Sequence, residues 1–547
     1  YKSDPLALSN IDEALKQLKE NAHQEGYLQN IIDKYFISNK NRVNLEMVPD
    51  LELINKKENE LRKILDGIKS SMSSKEKLDL VNDAKKLADR QNAEPDKEVL
   101  PKLELNDVPK TVTFPQTKQL ATFGYSPTFY EQPTNGLTYN SVSKDLNLSS
   151  LEDVSSLMVL SALFGKVGTK EKDYMHLQED ISKISGGINA SNHFYVHKSG
   201  EVKGRISLSS KFLPENTVET TNLMFDILQN TDLEDKKRIT ELMFQNFMGF
   251  QQSIVENGHR FAMLGAASLH NKLSFVQENM GGLSAIASFA PYITQQDEMI
   301  TNQLTKVKEF YSKLNNGKDE MLFISNNKLS SEQLNDIRKI NFNKTGDSVV
   351  SLGFNPSFSK VAVPLNTQVN FSALSLDAPI YDAKESPKYV ILSSLLRNEF
   401  LHKKVREQGG AYGGGAAYDP FSGTFKMFSY RDPRFIETIE DFVSSLSWAA
   451  LGSFDEDNIL ESKLSVLSDI DKPSSPAGEA FKDYRLNSED KTQKARQEYR
   501  KNIMEVTKED IVEAAEKLKL QRYSVFSIIN PNLEKTAANE NFLIKKI

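Results

Sequence analysis

One guanidinium and one phenol, Arg406 and Tyr412, stand six residues apart in the segment Val405-Arg406-Glu407-Gln408-Gly409-Gly410-Ala411-Tyr412-Gly413-Gly414-Gly415. Both side chains donate hydrogen bonds to oxygen that is gaining negative charge, one through a planar fork and one through a hydroxyl. Gly409 and Gly410 read as a helix C-cap followed by a reversal, since glycine takes positive φ without a Cβ penalty. Gly413, Gly414 and Gly415 leave the next strand bare for close approach by another chain. An arginine and a tyrosine over a bare strand suit the binding of a peptide carbonyl. From this segment alone, a structural turn with a core tyrosine reads equally well.

The elements around this segment are legible from apolar spacing. A helix opened by Ser386-Pro387, an N-cap and first-turn pair, leads into Arg406. A strand over 424–430 follows, then a helix carrying Phe435, Ile439, Phe442 and Leu446 on one stripe. A last helix runs into a strand at 523–529. Upstream, residues after about 115 read as strands, then a helix capped by Ser149 and Glu152 with Val154, Leu157, Met158 and Phe164 inward. Ile206 and Leu208 alternate in a strand, helices cover 217–229 and 232–256, and a strand at 321–325 closes that unit. Residues 51–95 are rich in Lys, Glu, Asp, Leu and Ile and read as two helices reversing near 70–74, where Ser73 and Glu76 offer a capping box. Before them, Ser9 to about Asn41 is helical. Val43, Leu45 and Met47 alternate as a strand over 42–49. A proline-studded link spans Pro95–Pro115.

Several further motifs occur in order with the Arg406–Tyr412 segment: Gly168-Thr169-Lys170, Ser185-Gly186-Gly187-Ile188, Gln277-Glu278-Asn279-Met280-Gly281-Gly282-Leu283-Ser284, Pro364-Leu365-Asn366-Thr367-Gln368-Val369-Asn370 and Ser429-Tyr430-Arg431-Asp432-Pro433. Together they resemble the C-terminal half of presequence-protease and falcilysin-type enzymes, a branch of the pitrilysin-like zinc metallopeptidases (inverzincins), over nearly the whole chain. The resemblance implies an α+β fold of two pitrilysin-like domains, each a mixed, mostly antiparallel sheet with helices on one face, preceded by a helical hairpin linker. The implied division is 1–50 as the end of a second domain, 51–104 as a charged hinge hairpin, 105–345 as a third domain and 346–547 as a fourth. It also implies that Arg406 and Tyr412 hold the substrate carbonyl and its oxyanion. The bare backbone at Gly410, Ala411 and Gly413 is expected to contact substrate. Glu407 and Gln408 read as structural.

Enzymes of this family carry a His-x-x-Glu-His helix, with two zinc-binding histidines and a glutamate base. This chain lacks it. Its seven histidines are His23, His176, His193, His197, His259, His270 and His402, and none has the required neighbours. His193 and His197 share a strand face with no carboxylate between them and read as surface or packing residues. His176 lies on the polar face of a helix whose stripe is Tyr174, Leu177, Ile181 and Ile184. No metal site is expected on this chain. The zinc is expected on an N-terminal half, inferred from a first residue that is Tyr1 and a first helix with no preceding domain to pack on. That half and unfolded peptides are the expected partners.

Composition limits the alternatives. Net charge is 68 − 75 = −7, which gives no reason to invoke nucleic acid. There is no cysteine, so disulfides and thiolate chemistry are excluded. The longest apolar run, near 157–164, is too short to span a bilayer, so no membrane insertion is expected. The glycine run lacks the Lys-Ser/Thr of a P-loop and the spacing of a dinucleotide fingerprint. A non-catalytic pitrilysin-like subunit or peptide-binding module is the competing reading. The compartment stays open: a mitochondrial or plastid matrix in a eukaryote, cytoplasm or periplasm in a bacterium.

Overall fold

The charged N-terminal stretch folds as helices. The computed structural model describes residues 11–50, 52–92, 103–119, 127–289, 297–343 and 346–546. Contacts divide the chain into two compact units, 1–101 and 102–547. The first holds helices Asp12–Ala22 and Tyr27–Ile32, then a helical pair, Leu53–Ser71 and Ser74–Asn92. The reversal between that pair carries the predicted capping box. Glu76 Oε2 accepts from the Ser73 amide at 2.8 Å, and the Glu76 amide donates to Ser73 Oγ at 3.2 Å. Ser9, the expected helix start, lies outside the described residues, as do residues 95–102 of the proline-studded link.

The strand expected over 42–49 does not form. Val43, Leu45 and Met47 are 81–91% exposed, and no strand pairs with them among the described residues. Alternation specifies a strand only where a neighbour takes up its backbone hydrogen bonds and a face is buried.

The second unit contains two six-stranded sheets. The first uses β1 (Thr117–Gln119), β2 (Thr128–Glu131), β3 (Thr138–Asp145), β5 (Ile188–Val196), β6 (Val202–Phe212) and β7 (Asp319–Ser325), in the order β1-β2-β7-β3-β6-β5. The short strands β4 (Asn147–Leu148) and β8 (Val349–Val350) pair separately. The second sheet uses β9 (Lys360–Pro364), β10 (Phe371–Asp377), β11 (Gly413–Asp419), β12 (Thr424–Tyr430), β13 (Ser524–Ile529) and β14 (Leu543–Ile544), in the order β11-β12-β10-β13-β9-β14. Most pairings are antiparallel; within these two sheets β2–β7, β13–β9 and β14–β9 are parallel. This is the expected α+β architecture.

Each sheet buries one face against helices of its own stretch of chain. Val142, Ile206, Leu208 and Phe323 meet helices Leu151–Leu163, Tyr174–Ile184 and Thr217–Asn230. Leu374, Phe425, Met427 and Val525 meet helices Ser386–Leu395, Ile436–Ala450 and Lys508–Lys519. The opposite faces are covered by exchange. Helix Pro476–Ser488 lays Ala477 and Ala480 on Tyr130, Leu322 and Ile324 of the first sheet. Helix Lys236–Ser268 lays Ile254, Phe261 and Ala266 on Val361, Phe371 and Phe526 of the second.

That second crossing explains why the helix expected to stop at 256 runs on to Ser268. Asn257-Gly258 resembles a stop signal, and Asn257 does kink the helix at φ −124°, ψ 24°. Gly258 is required for approach rather than termination, since a Cβ there would stand 2.5 Å from the Phe371 ring. Two caps also differ from expectation. The Leu151–Leu163 helix is capped by Ser150 and Asp153, one residue later than Ser149 and Glu152. Ser386 lies inside its helix, fully buried, and its hydroxyl bonds the Tyr418 phenol at 2.7 Å and the Tyr499 phenol at 3.2 Å.

Candidate functional site

The helix that leads to Arg406 begins at Ser386 and widens over Leu396–Gln408 into π-type i→i+5 bonding. Gly409 is still helical (φ −84°), and the reversal falls on Gly410 alone, at φ +79°. Gly409 is small for another reason: the Arg434 guanidinium packs where its Cβ would stand. Two backbone bonds close the turn, Gly410 N–H to Arg406 O at 3.0 Å and Ala411 N–H to Val405 O at 3.1 Å. Arg406 and Tyr412 therefore flank one tight reversal.

The motifs at 364–370 and 429–433 converge beneath this turn. Asn370 and Asp432 exchange backbone hydrogen bonds at 2.8 and 2.9 Å. The Asp432 carboxylate accepts from Thr438 Oγ1 at 2.7 Å and from the Arg434 amide at 2.9 Å. Burial pushes its pKa up, against the hydrogen bonds from Thr438 and Arg434. Arg434 also pairs with Asp441 at 3.0 Å. The turn thus rests on a buried network anchored in β10 and in the helix after β12.

Beyond the turn, β11 is an edge strand of the second sheet. The glycine run is less bare than the sequence suggests. A Cβ on Gly414 would stand 2.7 Å from Val405 Cγ1, and one on Gly415 would stand 2.8 Å from Arg397 Cγ. Those two glycines let the preceding helix pack on the strand. Only Gly413 opens onto free space, its nearest neighbour being Tyr430 Cβ at 4.0 Å. Ala411 turns its methyl into the second core at 4% exposure.

Arg406 is exposed and has no ion-pair or hydrogen-bonded side-chain partner among the described residues. Tyr412 is 68% exposed. Its ring meets Tyr430 edge-on, and Tyr430 in turn meets His259 at 4.7 Å and Phe371 at 5.8 Å between centroids. Arg431 places its guanidinium 5.3 Å from the Tyr430 ring and holds φ +51°, a conformation costly for a residue with a Cβ. Tyr430, Arg431 and His259 belong to this constellation, although sequence reasoning did not single them out. His259 Nδ1 is buried without a hydrogen-bond partner, and burial, with a smaller effect of Arg260, pushes the imidazole pKa down. Glu407 pairs with His402 at 3.4 Å, in keeping with a structural role.

The chain's histidines do not assemble a metal site. His176 bonds Asp173, His193 bonds Glu489, and His197 pairs with Asp490. No group of three His, Cys, Asp or Glu side chains among the described residues is placed to hold a metal ion. The residues present do not fit zinc. No helix among the described residues is long and apolar enough to cross a membrane.

Comparison with known proteins agrees with this architecture. Residues 47–290 match the family model of the region associated with M16 peptidases of subfamily C, and residues 360–530 match "PreP C-terminal domain". The mitochondrial presequence protease of Danio rerio is 26% identical over 555 residues, covering 94% of this chain and 53% of the relative. That of Mus musculus is 25% identical, covering 100% and 56%. The chloroplastic/mitochondrial presequence protease 1 of Arabidopsis thaliana is 24% identical, covering 95% and 49%. The chain spans about half the length of the curated relatives it matches. Among solved structures, a protease from Helicobacter pylori superimposes with a TM-score of 0.57 at 12% identity, covering 77% of this chain and 100% of that one. A peptidase M16 inactive domain from Pseudomonas fluorescens gives 0.55 at 13%, covering 76% and 97%. With its ordered motifs, paired α+β sheets and these matches, the chain belongs to the presequence protease group of the pitrilysin-like M16 peptidase family.

Proposed function

We propose that this chain is the C-terminal half of a zinc-dependent endopeptidase that degrades unfolded oligopeptides, such as cleaved targeting peptides, in a closed chamber. The observation that carries the reading is the pair of exposed donors, Arg406 and Tyr412, without side-chain hydrogen-bond partners and fixed at one reversal by a buried network. A structural turn has no use for such donors. Here they stabilise the oxyanion formed when a peptide carbonyl is attacked, and preorganised donors of this kind contribute roughly 3–4 kcal/mol to catalysis. The metal and the general base belong to a zinc-bearing N-terminal half, and the helical pair Leu53–Ser71 and Ser74–Asn92 is the hinge that joins the halves. Closure then both excludes folded proteins and completes the catalytic set.

The test is cleavage of an unstructured fluorogenic basic peptide, with zinc content measured on the same samples, by this chain alone and by the chain joined to a zinc-bearing N-terminal half. Activity and zinc only in the joined protein are expected. Stoichiometric zinc and cleavage by this chain alone would overturn the split-site reading. A joined protein that binds zinc but cleaves nothing would favour a non-catalytic, peptide-binding subunit.

A further inference from the structure

The edge strand of the first sheet, β5, opens onto a cleft that the proposed reaction does not use. The hydrogen-bonding phase of this strand is fixed by its neighbours. His197 N–H donates to Glu201 O at 2.8 Å at the hairpin end, so odd-numbered residues of β5 bond β6 in the continuous register Ile188↔Ser210 to Val196↔Val202. Leu146 N–H donates to Gly204 O at 2.9 Å, so even-numbered residues of β6 turn the other way, toward β3, which gives the same phase. The N–H and C=O groups of Ala190, Asn192, Phe194 and Val196 therefore point away from the sheet. At Asn192 and Phe194 they face a cleft of about 450 Å³, walled by helix Lys272–Gly281, the β11–β12 turn and the end of helix Pro476–Ser488.

The charged groups in this cleft are already matched. Glu489, 2% exposed at its side chain, bonds His193 Nε2 at 2.7 Å and lies 3.6 Å from Arg485. Asp419 accepts from Ser422 Oγ at 2.6 Å. What remains unsatisfied is a row of outward main-chain donors and acceptors, with Met280 and Phe421 on the facing walls. That pattern complements an extended backbone and little else.

We propose that the β5 edge is a second peptide-binding site, which takes an extended segment of an unfolded peptide by strand addition, with little dependence on its side chains. The choice of ligand rests on the peptidase reading. The site holds a peptide by its main chain, apart from the residues proposed to polarise the scissile carbonyl.

The test uses this chain and a fluorescein-labelled unstructured twelve-residue peptide, read by fluorescence anisotropy. A second copy of the peptide carries N-methyl groups on alternate amides. Asn192→Pro removes an N–H that the β5–β6 ladder does not use, so the sheet survives. Asn192→Ala controls for the loss of the 2.7 Å bond from Asn192 Nδ2 to Ser161 Oγ. Gly281→Phe adds bulk at a cleft position where a Cβ meets nothing within 4 Å. Binding to the unmethylated peptide is expected to weaken at least about tenfold, 1.4 kcal/mol, in Asn192→Pro and in Gly281→Phe, and to persist in Asn192→Ala. Methylation is expected to weaken binding to the unaltered chain similarly. Affinity unchanged in both edge variants overturns the proposal, as does affinity lost only on Arg406→Ala. An unaltered chain that forms a dimer abolished by Asn192→Pro, and binds no peptide, would replace the peptide by a second copy. None of these outcomes depends on whether the joined protein cleaves.

Discussion

The ring of Tyr412 stands edge-on to that of Tyr430, with 5.6 Å between centroids and 83° between planes. This contact steadies the phenol from one side and leaves most of it open to solvent. Tyr412→Phe keeps the ring contact and removes only the hydroxyl. In the joined protein, kcat should fall about 10²–10³-fold, the usual loss for one oxyanion donor. The melting temperature should stay within about 1 °C, because no buried group is unpaired. Activity close to normal would remove the hydroxyl from the chemistry.

Arg406→Lys tests the other donor. Arg406 is exposed and unpaired among the described residues, so a lysine costs the fold little. An ammonium does not reproduce the planar fork, and turnover should fall about tenfold or more in the same cleavage assay. Normal kinetics would reduce the role of Arg406 to a general positive charge.

Neighbouring glycines should separate packing from access. Gly414→Ala drives a methyl into Val405 Cγ1, and the helix that carries Arg406 must shift. A loss of about 1–3 kcal/mol in urea unfolding is expected, with reduced turnover. Gly413→Ala meets nothing closer than 4.0 Å. Its stability should hold while KM rises, if substrate approaches that backbone. Equal stability losses at both positions would show that the run serves the fold alone.

These glycines also show how far sequence carries. Gly409 through Gly415 marks a turn and a strand whose backbone something approaches, but not what approaches it. The approaching groups are Val405, Arg397 and Arg434, of which the last lies beyond β12 in sequence. His259 was out of reach for the same reason, since it arrives from a helix of the other sheet's stretch of chain. Local signals were read well where they close locally, as in the Ser73–Glu76 box and the buried stripe Phe435, Ile439, Phe442 and Leu446. Val43, Leu45 and Met47 failed because alternation cannot supply its own neighbouring strand.

The Gln277–Ser284 motif makes a prediction about pH. Glu278 folds back over Gly282, where a Cβ would collide with its carboxylate, and accepts from the Ser284 amide at 2.9 Å. Burial pushes its pKa up to about 7 from an ordinary 4.5, against that hydrogen bond and the pull of Lys545. Between those pH values the folded chain holds a proton that the unfolded chain releases. The stabilisation is thus complete below pH 4.5 and is lost as pH rises through 7. A difference of 7 − 4.5 = 2.5 corresponds to about 3 kcal/mol. Glu278→Gln still accepts from Ser284 but does not titrate. In urea unfolding, the drop in stability between pH 5 and pH 8 should shrink by about that amount in the variant. Parallel pH profiles for the two proteins would mean that Lys545, whose ammonium bonds Ser284 Oγ at 3.0 Å, keeps Glu278 ionised in the fold.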